Sequence, residues 1–234
     1  MNKPAALAHC AALLALAVLW PGVAGAATDY SAAEQALFID NHLVKLRPPL
    51  TLRYTFRKTG TLEAAFDDRV DVGLTAQADG RCCAASARFL SGTRQVRQPE
   101  VESAQGNPAI LYFLEHDIRE MERLTGGKAN YFRKRIRMAV YQAAQIRAIT
   151  LPYRGRAVAV REISVAPYLD DPNRPRYEKL ANKQYVFMLA EAVPGGLYGI
   201  RTRINGESAG APALLIEEML VDGADNAAPP KRPP

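Results

Sequence analysis

Alternation of apolar and polar side chains predicts β-strands in the first third of the chain. Between residues 50 and 57, leucine and aromatic positions alternate with threonine and arginine, the period of a half-buried strand. Two further alternating runs flank Asp79-Gly80, a dipeptide typical of two-residue hairpin turns. Pairing across that turn keeps the apolar partners on one face, so the pattern predicts a hairpin in a defined register. The predicted pairs are Val70–Phe89, Val72–Ala87, Leu74–Ala85 and Ala76–Cys83 on the apolar face, and Asp71–Arg88 and Gln77–Cys82 on the other.

Three segments have helical spacing and recognisable end signals. Ser31 and Glu34 form a capping-box pattern that predicts a helix over residues 32–44, before Pro48-Pro49. After a polar loop at 94–106, Asn107-Pro108 predicts the start of a second helix that ends at Thr125, before two glycines. A third helix is predicted over 129–144, so that the second and third form a helical hairpin.

The period returns to two after these helices. Strands are predicted at 149–153 and 158–160 around an Arg154-Gly155 turn, and then at 185–189, 197–204 and 214–221. The order strands, helices, strands predicts an α+β fold in which a curved antiparallel sheet, built from two strand blocks, packs against a central helical hairpin. The N-terminal helix is added to this core. Two packed sheets are the alternative arrangement.

The first 26 residues have the features of a secretory signal peptide. Lys3 precedes an apolar run at 11–19, and Ala24-Gly25-Ala26 matches a small-residue cleavage site. An uncleaved anchor is the alternative, but the run is shorter than the roughly 20 residues that a spanning helix needs. No later stretch qualifies as a transmembrane segment. We therefore expect a single α+β domain over 27–222, a disordered Pro/Ala-rich tail over 223–234, and a periplasmic or secreted protein that is soluble after signal cleavage.

Composition and motifs assign no reaction to the chain. The 48% hydrophobic and 23% charged residues are those of an ordinary globular protein. Walker and Gly-x-Gly-x-x-Gly motifs are missing from the sequence, and we predict no catalytic residue, cofactor or metal site. Adjacent Cys82 and Cys83 should point to opposite faces of a strand. We expect Cys83 to be a core residue and Cys82 a partly exposed thiol, with an intermolecular disulfide as the alternative.

Two acidic residues of the second helix are the candidates for an enzyme. Asp117 falls within the apolar stripe of its helix, where a carboxylate needs a partner. We expect that partner to be an arginine. Glu120 lies four residues after His116, close enough for metal chelation, although a salt-bridged surface is the favoured interpretation. An enzyme with Asp117 and Glu120 in a cleft beside the third helix is the alternative function.

The distribution of charge is the unusual feature of the sequence. The formal net charge is +6, yet the stretch between Glu122 and Glu162 contains ten basic and no acidic residues. On the third helix, basic and aromatic side chains lie off the apolar stripe and could bind an anion through bidentate arginine contacts. The predicted binding residues are Tyr131, Arg133, Lys134, Arg137 and Tyr141.

These features favour a non-enzymatic protein that binds or helps to assemble an anionic envelope component through the basic helix. The candidate partners are an anionic lipid, an acidic polysaccharide or an acidic protein, and the compartment argues against nucleic acid. Three alternatives stay open: the basic residues pair with the acidic helix or merely solvate a face, the chain is the enzyme described above, or it is a subunit that docks through a sheet edge.

Overall fold

A computed structural model describes residues 30–77, 82–208 and 210–224. Within these ranges nine strands form one antiparallel sheet in the order β4-β3-β2-β1-β9-β8-β7-β6-β5, which with the helices confirms the α+β prediction. The predicted signal peptide and the Asp79-Gly80 turn lie outside the described residues, as do residues 225–234 of the predicted tail. The strands are β1 (Leu50–Thr59), β2 (Phe66–Ala76), β3 (Cys82–Phe89), β4 (Val96–Arg97), β5 (Gln145–Tyr153), β6 (Arg156–Val165), β7 (Gln184–Leu189), β8 (Leu197–Ile204) and β9 (Leu215–Val221).

The two strand blocks join through β1 and β9. Phe56 pairs with Met219 and Tyr54 with Val221, so the blocks belong to one sheet and the two-sheet alternative is wrong. The inward residues of these strands are buried against the helices, and we call this face the helix side of the sheet. At the far end of the second block, Ala224 pairs with Tyr153 beside the β5–β6 turn.

The β2–β3 register is confirmed from Val70–Phe89 to Leu74–Ala85, including the Asp71–Arg88 pair. Beyond Thr75 the register shifts, and Ala76 pairs with Cys82 instead of Cys83. The predicted pairs Ala76–Cys83 and Gln77–Cys82 are therefore wrong, because uniform alternation does not allow for this irregularity. The structure also joins Cys82 to Cys83 by a disulfide, which corrects the expectation of a free Cys82 thiol and of an intermolecular bond.

Two long helices cover the helix side of the sheet. Helix α2 (Pro108–Thr125) is capped by Asn107, whose side chain accepts a hydrogen bond from Ala109, and it ends at the left-handed Gly126. Helix α3 (Ala129–Ala143) follows directly. Both helices agree with their predicted ranges, because their end signals are local in sequence. Among the described residues, no helix is long and apolar enough to cross a membrane.

The N-terminal helix is shorter than predicted. Helix α1 (Ala32–Glu34) has the expected capping box and continues into a single π-helical turn, Gln35–Ile39. The chain then leaves the helix because the His42 ring is hydrogen-bonded on both sides. Nε2 donates to the carbonyl of Ala36 at 2.8 Å, and Nδ1 accepts from the N–H of Asn107 at 3.0 Å. The predicted continuation to residue 44 is therefore wrong.

Candidate functional site

The basic residues predicted on the third helix lie mostly on one exposed face of α3. Phe132, Ile136 and Val140 are buried and anchor the helix to the core. Residues three, four and seven apart share a side of a helix, so the four residues off this stripe lie together. We call them the α3 face; they are Arg133, Lys134, Arg137 and Tyr141.

Tyr131 lies apart from the α3 face. Its hydroxyl donates a hydrogen bond to Asp171 Oδ1 at 2.6 Å and accepts one from Asn173 at 2.8 Å. Its ring also contacts the rings of Phe132 and Tyr177. These contacts tie the phenol to the loop before β7, so the structure does not bring it together with the other predicted binding residues.

The cations of the α3 face differ in how far they are neutralised. Arg133 makes two hydrogen bonds of 2.8 Å with the Glu115 carboxylate on α2, and this contact lowers the pKa of Glu115. Neither Lys134 nor Arg137 has an acidic partner among the described residues. Pairing with the acidic helix therefore accounts for Arg133, whereas Lys134 and Arg137 form no ion pair among the described residues.

An apolar pocket of about 270 Å³ opens beside these cations. It lies between α2, α3 and the N-terminal helical segment, and Arg133 and Arg137 line its polar side together with two glutamates. Apolar residues at its mouth are unusually exposed: Leu111 is 50% and Tyr30 is 41% accessible. The apolar lining consists of Tyr30, Phe38, Ile39, Leu111, Leu114, Ile118 and Ile136.

A second, larger cavity lies on the helix side of the β5–β6 hairpin. This groove has a volume of about 1140 Å³ and is bounded by the hairpin, residues 36–46 and the loop at 189–196. Its rim carries the exposed Lys45–Glu191 ion pair at 3.4 Å, and also Arg161. The α3 face does not reach this groove, so the two cavities are separate features.

Asp117 and Glu120 lie in a packed interface rather than in either cavity. Asp117 is fully buried between α2 and the sheet, where it forms an ion pair with Lys183 and accepts a 2.6 Å hydrogen bond from the Tyr185 hydroxyl. The partner is thus a lysine, which corrects the expected arginine. Glu120 binds Arg123 at 2.7 Å and approaches Lys58 at 3.5 Å. Among the described residues, these two carboxylates line neither cavity, so no cleft reported above supports the enzyme hypothesis.

A buried charge network, which the sequence did not predict, continues from Asp117. Glu217 on β9 has no exposed surface and lies 3.8 Å from the Lys183 ammonium and 3.6 Å from that of Lys58. Nε2 of His116 is 3.8 Å from Glu217, too far for a hydrogen bond. Burial alone would raise the pKa of Glu217, but His116 and the two lysines outweigh it and hold this pKa at about 2. Lys58 also binds Glu63 at 2.5 Å, which links the network to the surface.

The described residues contain no cluster of three or more histidine, cysteine, aspartate or glutamate side chains that could hold a metal ion. His116, the candidate ligand next to Glu120, packs its ring instead against Phe56 and Phe89, with centroids 5.7 and 4.9 Å away. The helix that carries it therefore uses its polar residues to attach to the sheet.

Comparisons with known proteins add little to this geometry. No protein-family model matches the chain, and no curated protein matches it by sequence. Among solved structures, the crystal structure of the Mycobacterium tuberculosis lipoprotein LppX is similar at 10% identity and a TM-score of 0.30. The alignment covers 76% of this chain and 88% of LppX. At this level of similarity nothing about function follows from the match.

Proposed function

We propose that this protein is a non-enzymatic binding protein of the bacterial envelope that takes up an anionic lipid at the α3 face. The observation that carries the proposal is the position of Lys134 and Arg137. Neither has an acidic partner among the described residues, and Arg137 lines the mouth of an apolar pocket. Two cations without acidic partners, one of them at the mouth of an apolar cavity, match a molecule with an anionic head and an apolar tail.

The pocket distinguishes a lipid from the other anionic partners. An acidic polysaccharide or acidic protein would use the cations but would leave the apolar lining unoccupied. Ligand pockets for drug-sized molecules have volumes of roughly 300–1,000 Å³. At about 270 Å³ this pocket is suited to a single alkyl chain, with the remainder of the lipid outside.

The exposed apolar residues around the pocket favour contact with a lipid surface. Leu111 at the mouth and Tyr141 at the end of the α3 face are about half exposed, at 50% and 48%. Apolar and aromatic side chains next to lysine and arginine are typical of helices that lie in the membrane interface. In this arrangement Lys134 and Arg137 meet the headgroups, while Leu111 reaches the acyl boundary.

Vesicle co-sedimentation tests the proposal. We expect binding to phosphatidylcholine vesicles that contain phosphatidylglycerol, and none to phosphatidylcholine alone. Each basic residue near an anionic surface contributes roughly 1 kcal/mol, so the double variant Lys134→Gln/Arg137→Gln should bind about 30-fold more weakly. Leu111→Gln should also weaken binding without changing the net charge.

A matched control separates this site from net charge. Arg53 and Arg69 are exposed on the side of the sheet away from the helices, and Arg53→Gln/Arg69→Gln removes the same two charges. Equal weakening by both double variants would mean that only net charge matters, which contradicts the proposal. Binding of dextran sulfate that depends on Lys134 and Arg137, but not on Leu111, would assign the face to an acidic polymer instead.

A further inference from the structure

β5 forms a long outer edge of the sheet. β5 is the terminal strand of the sheet and spans nine residues, Gln145–Tyr153. At the strand end Ala224 pairs with Tyr153, and the Pro152 carbonyl accepts a 2.7 Å hydrogen bond from the Tyr198 hydroxyl. The opposite terminal strand, β4, has two residues. The backbone groups of an antiparallel strand point alternately to its two sides, so within residues 145–151 the N–H and C=O groups of Ile146, Ala148 and Thr150 face outward. This stretch is long enough to pair with another strand.

The edge also has few of the features that usually prevent such pairing. Proteins protect edge strands with bulges, charged side chains, prolines or very short strands. Here β5 pairs with β6 through all nine residues without a register shift. Pro152 lies near the protected end, and Arg147 is the one charged residue of the strand. Ile146 is 42% exposed, so an apolar side chain remains in contact with solvent on this edge.

The large groove borders the same edge on the helix side of the sheet. Ile146 pairs with Ile163, and the register continues through Phe187 to the buried core, which places Ile146 on the helix side. Ala148 shares that side and lines the groove with Ala157 and Ala159 of β6. Because these side chains are small, the groove stays open beside the edge. Apolar side chains of an added strand could enter it.

The charge of the hairpin defines the chemistry of that strand. β5, β6 and their turn carry four arginines, whereas Glu162 is their one carboxylate and already binds Arg147 at 2.6 Å. Arg156 lies on the side away from the groove, because it alternates with Ala157 along β6. Arg147 alternates with Ile146 along β5 but still borders the groove. Arg156 has no acidic partner among the described residues. A second copy of this chain would bring two positively charged hairpins together, so the occupant should be acidic.

We propose that β5 receives an extended acidic segment of a partner protein as an additional strand. Backbone hydrogen bonds to the β5 edge provide affinity, as in known β-strand addition. Alternating side chains provide specificity: apolar residues enter the groove, and acidic residues face Arg156 on the other side. The inference does not depend on lipid binding at α3.

Peptide binding by fluorescence anisotropy tests the pairing. The probe is a labelled peptide of alternating valine and glutamate with terminal prolines, which limit its self-association. Two isomers carry N-methyl groups on one or the other set of alternate residues, since only one set faces β5. We expect one isomer to lose at least tenfold in affinity and the other to bind like the unmodified peptide. Equal binding of both isomers would overturn the proposal.

Variants test the charge and the identity of the occupant. Arg156→Glu should weaken binding of the valine–glutamate peptide at least tenfold, whereas Arg53→Glu on the central strand β1 should not. Equal loss of affinity in both variants would refute an arginine-directed site.

A dimer in solution that the peptide dissociates would assign the edge to a second copy. A gain in peptide affinity on deletion of residues 225–234 would assign it to the chain's own C-terminus. Either result overturns the acidic-partner proposal.

Discussion

Replacing Lys183 with methionine should destabilise the protein severely. Lys183 has no exposed surface, and its ammonium lies against Asp117 and 3.8 Å from Glu217. Burial lowers the pKa of Lys183, but the two carboxylates more than offset this, and the net shift is upward. The lysine is therefore charged in the folded protein, and its removal leaves buried negative charge behind.

We expect Lys183→Met to lower the free energy of unfolding by about 3–5 kcal/mol, the usual cost of removing one partner of a buried ion pair. Domains of ordinary size have free energies of unfolding of about 5–15 kcal/mol, so this loss is a large part of the total. Asp117→Asn should cost a comparable amount, because it leaves the ammonium with Glu217 and removes a charge-assisted bond to Tyr185. The double variant Lys183→Met/Asp117→Asn should lose far less free energy of unfolding than the two single variants lose in sum.

Urea unfolding followed by far-ultraviolet circular dichroism measures these four free energies and gives the coupling between the two sites. The control is Lys45→Met, which breaks the Lys45–Glu191 pair between side chains that are 76% and 92% exposed. It should cost less than about 1 kcal/mol. If Lys183→Met were as mild as this control, or if the single effects simply added, the argument for a coupled buried pair would fail.

Two predictions concern pH. Glu217 has a pKa of about 2 when folded and an ordinary value of 4.5, so its contribution of about 3 kcal/mol is present above pH 4.5 and is lost between 4.5 and 2. Urea titrations of the native protein and Glu217→Gln should converge over that range; a constant difference would contradict this. Burial lowers the pKa of His42, so stability should fall as pH drops below 6.5, and His42→Gln should lose this dependence. If the stability of His42→Gln fell with pH as steeply as that of the native protein, His42 would not be the source of the dependence.

The register of β2 and β3 could be predicted because one face of the hairpin is buried. A slip of one residue would turn Val72 and Leu74 to solvent, so the apolar pattern fixes the pairing. The shift beyond Thr75 has no such signal, because Ala76 and the neighbouring cysteines are small and tolerate either face. Periodicity therefore predicted the middle of the hairpin and failed at its end.

The helices show the same division between local and distant causes. The bounds of α2 follow from Asn107 and Gly126, which act within one turn of the helix ends. The N-terminal helix ends early because His42 binds the N–H of Asn107, a residue 65 positions away. A contact of that kind leaves no mark on the apolar pattern of residues 32–44.

The buried charges had a partial signal in the sequence. Lys58 and Glu217 lie in phase with the apolar residues on the inward face of β1 and β9. Each could therefore have been recognised from the sequence as a buried charge. Lys183 precedes β7 and breaks no pattern. The pocket beside the α3 face was equally hidden, since three separate segments of the chain enclose it.

Helix α2 connects the buried network to the proposed lipid site, because its two sides serve the two features. Asp117 fixes one side to the sheet through Lys183 and Tyr185, while Leu111 and Glu115 line the pocket. Apolar packing is non-directional and by itself leaves rotation and sliding of a helix weakly restrained. A buried ion pair is position-specific, and its best-attested use is to fix register. We therefore expect the network to set the angle at which α2 presents its pocket residues to α3, whatever its net contribution to stability.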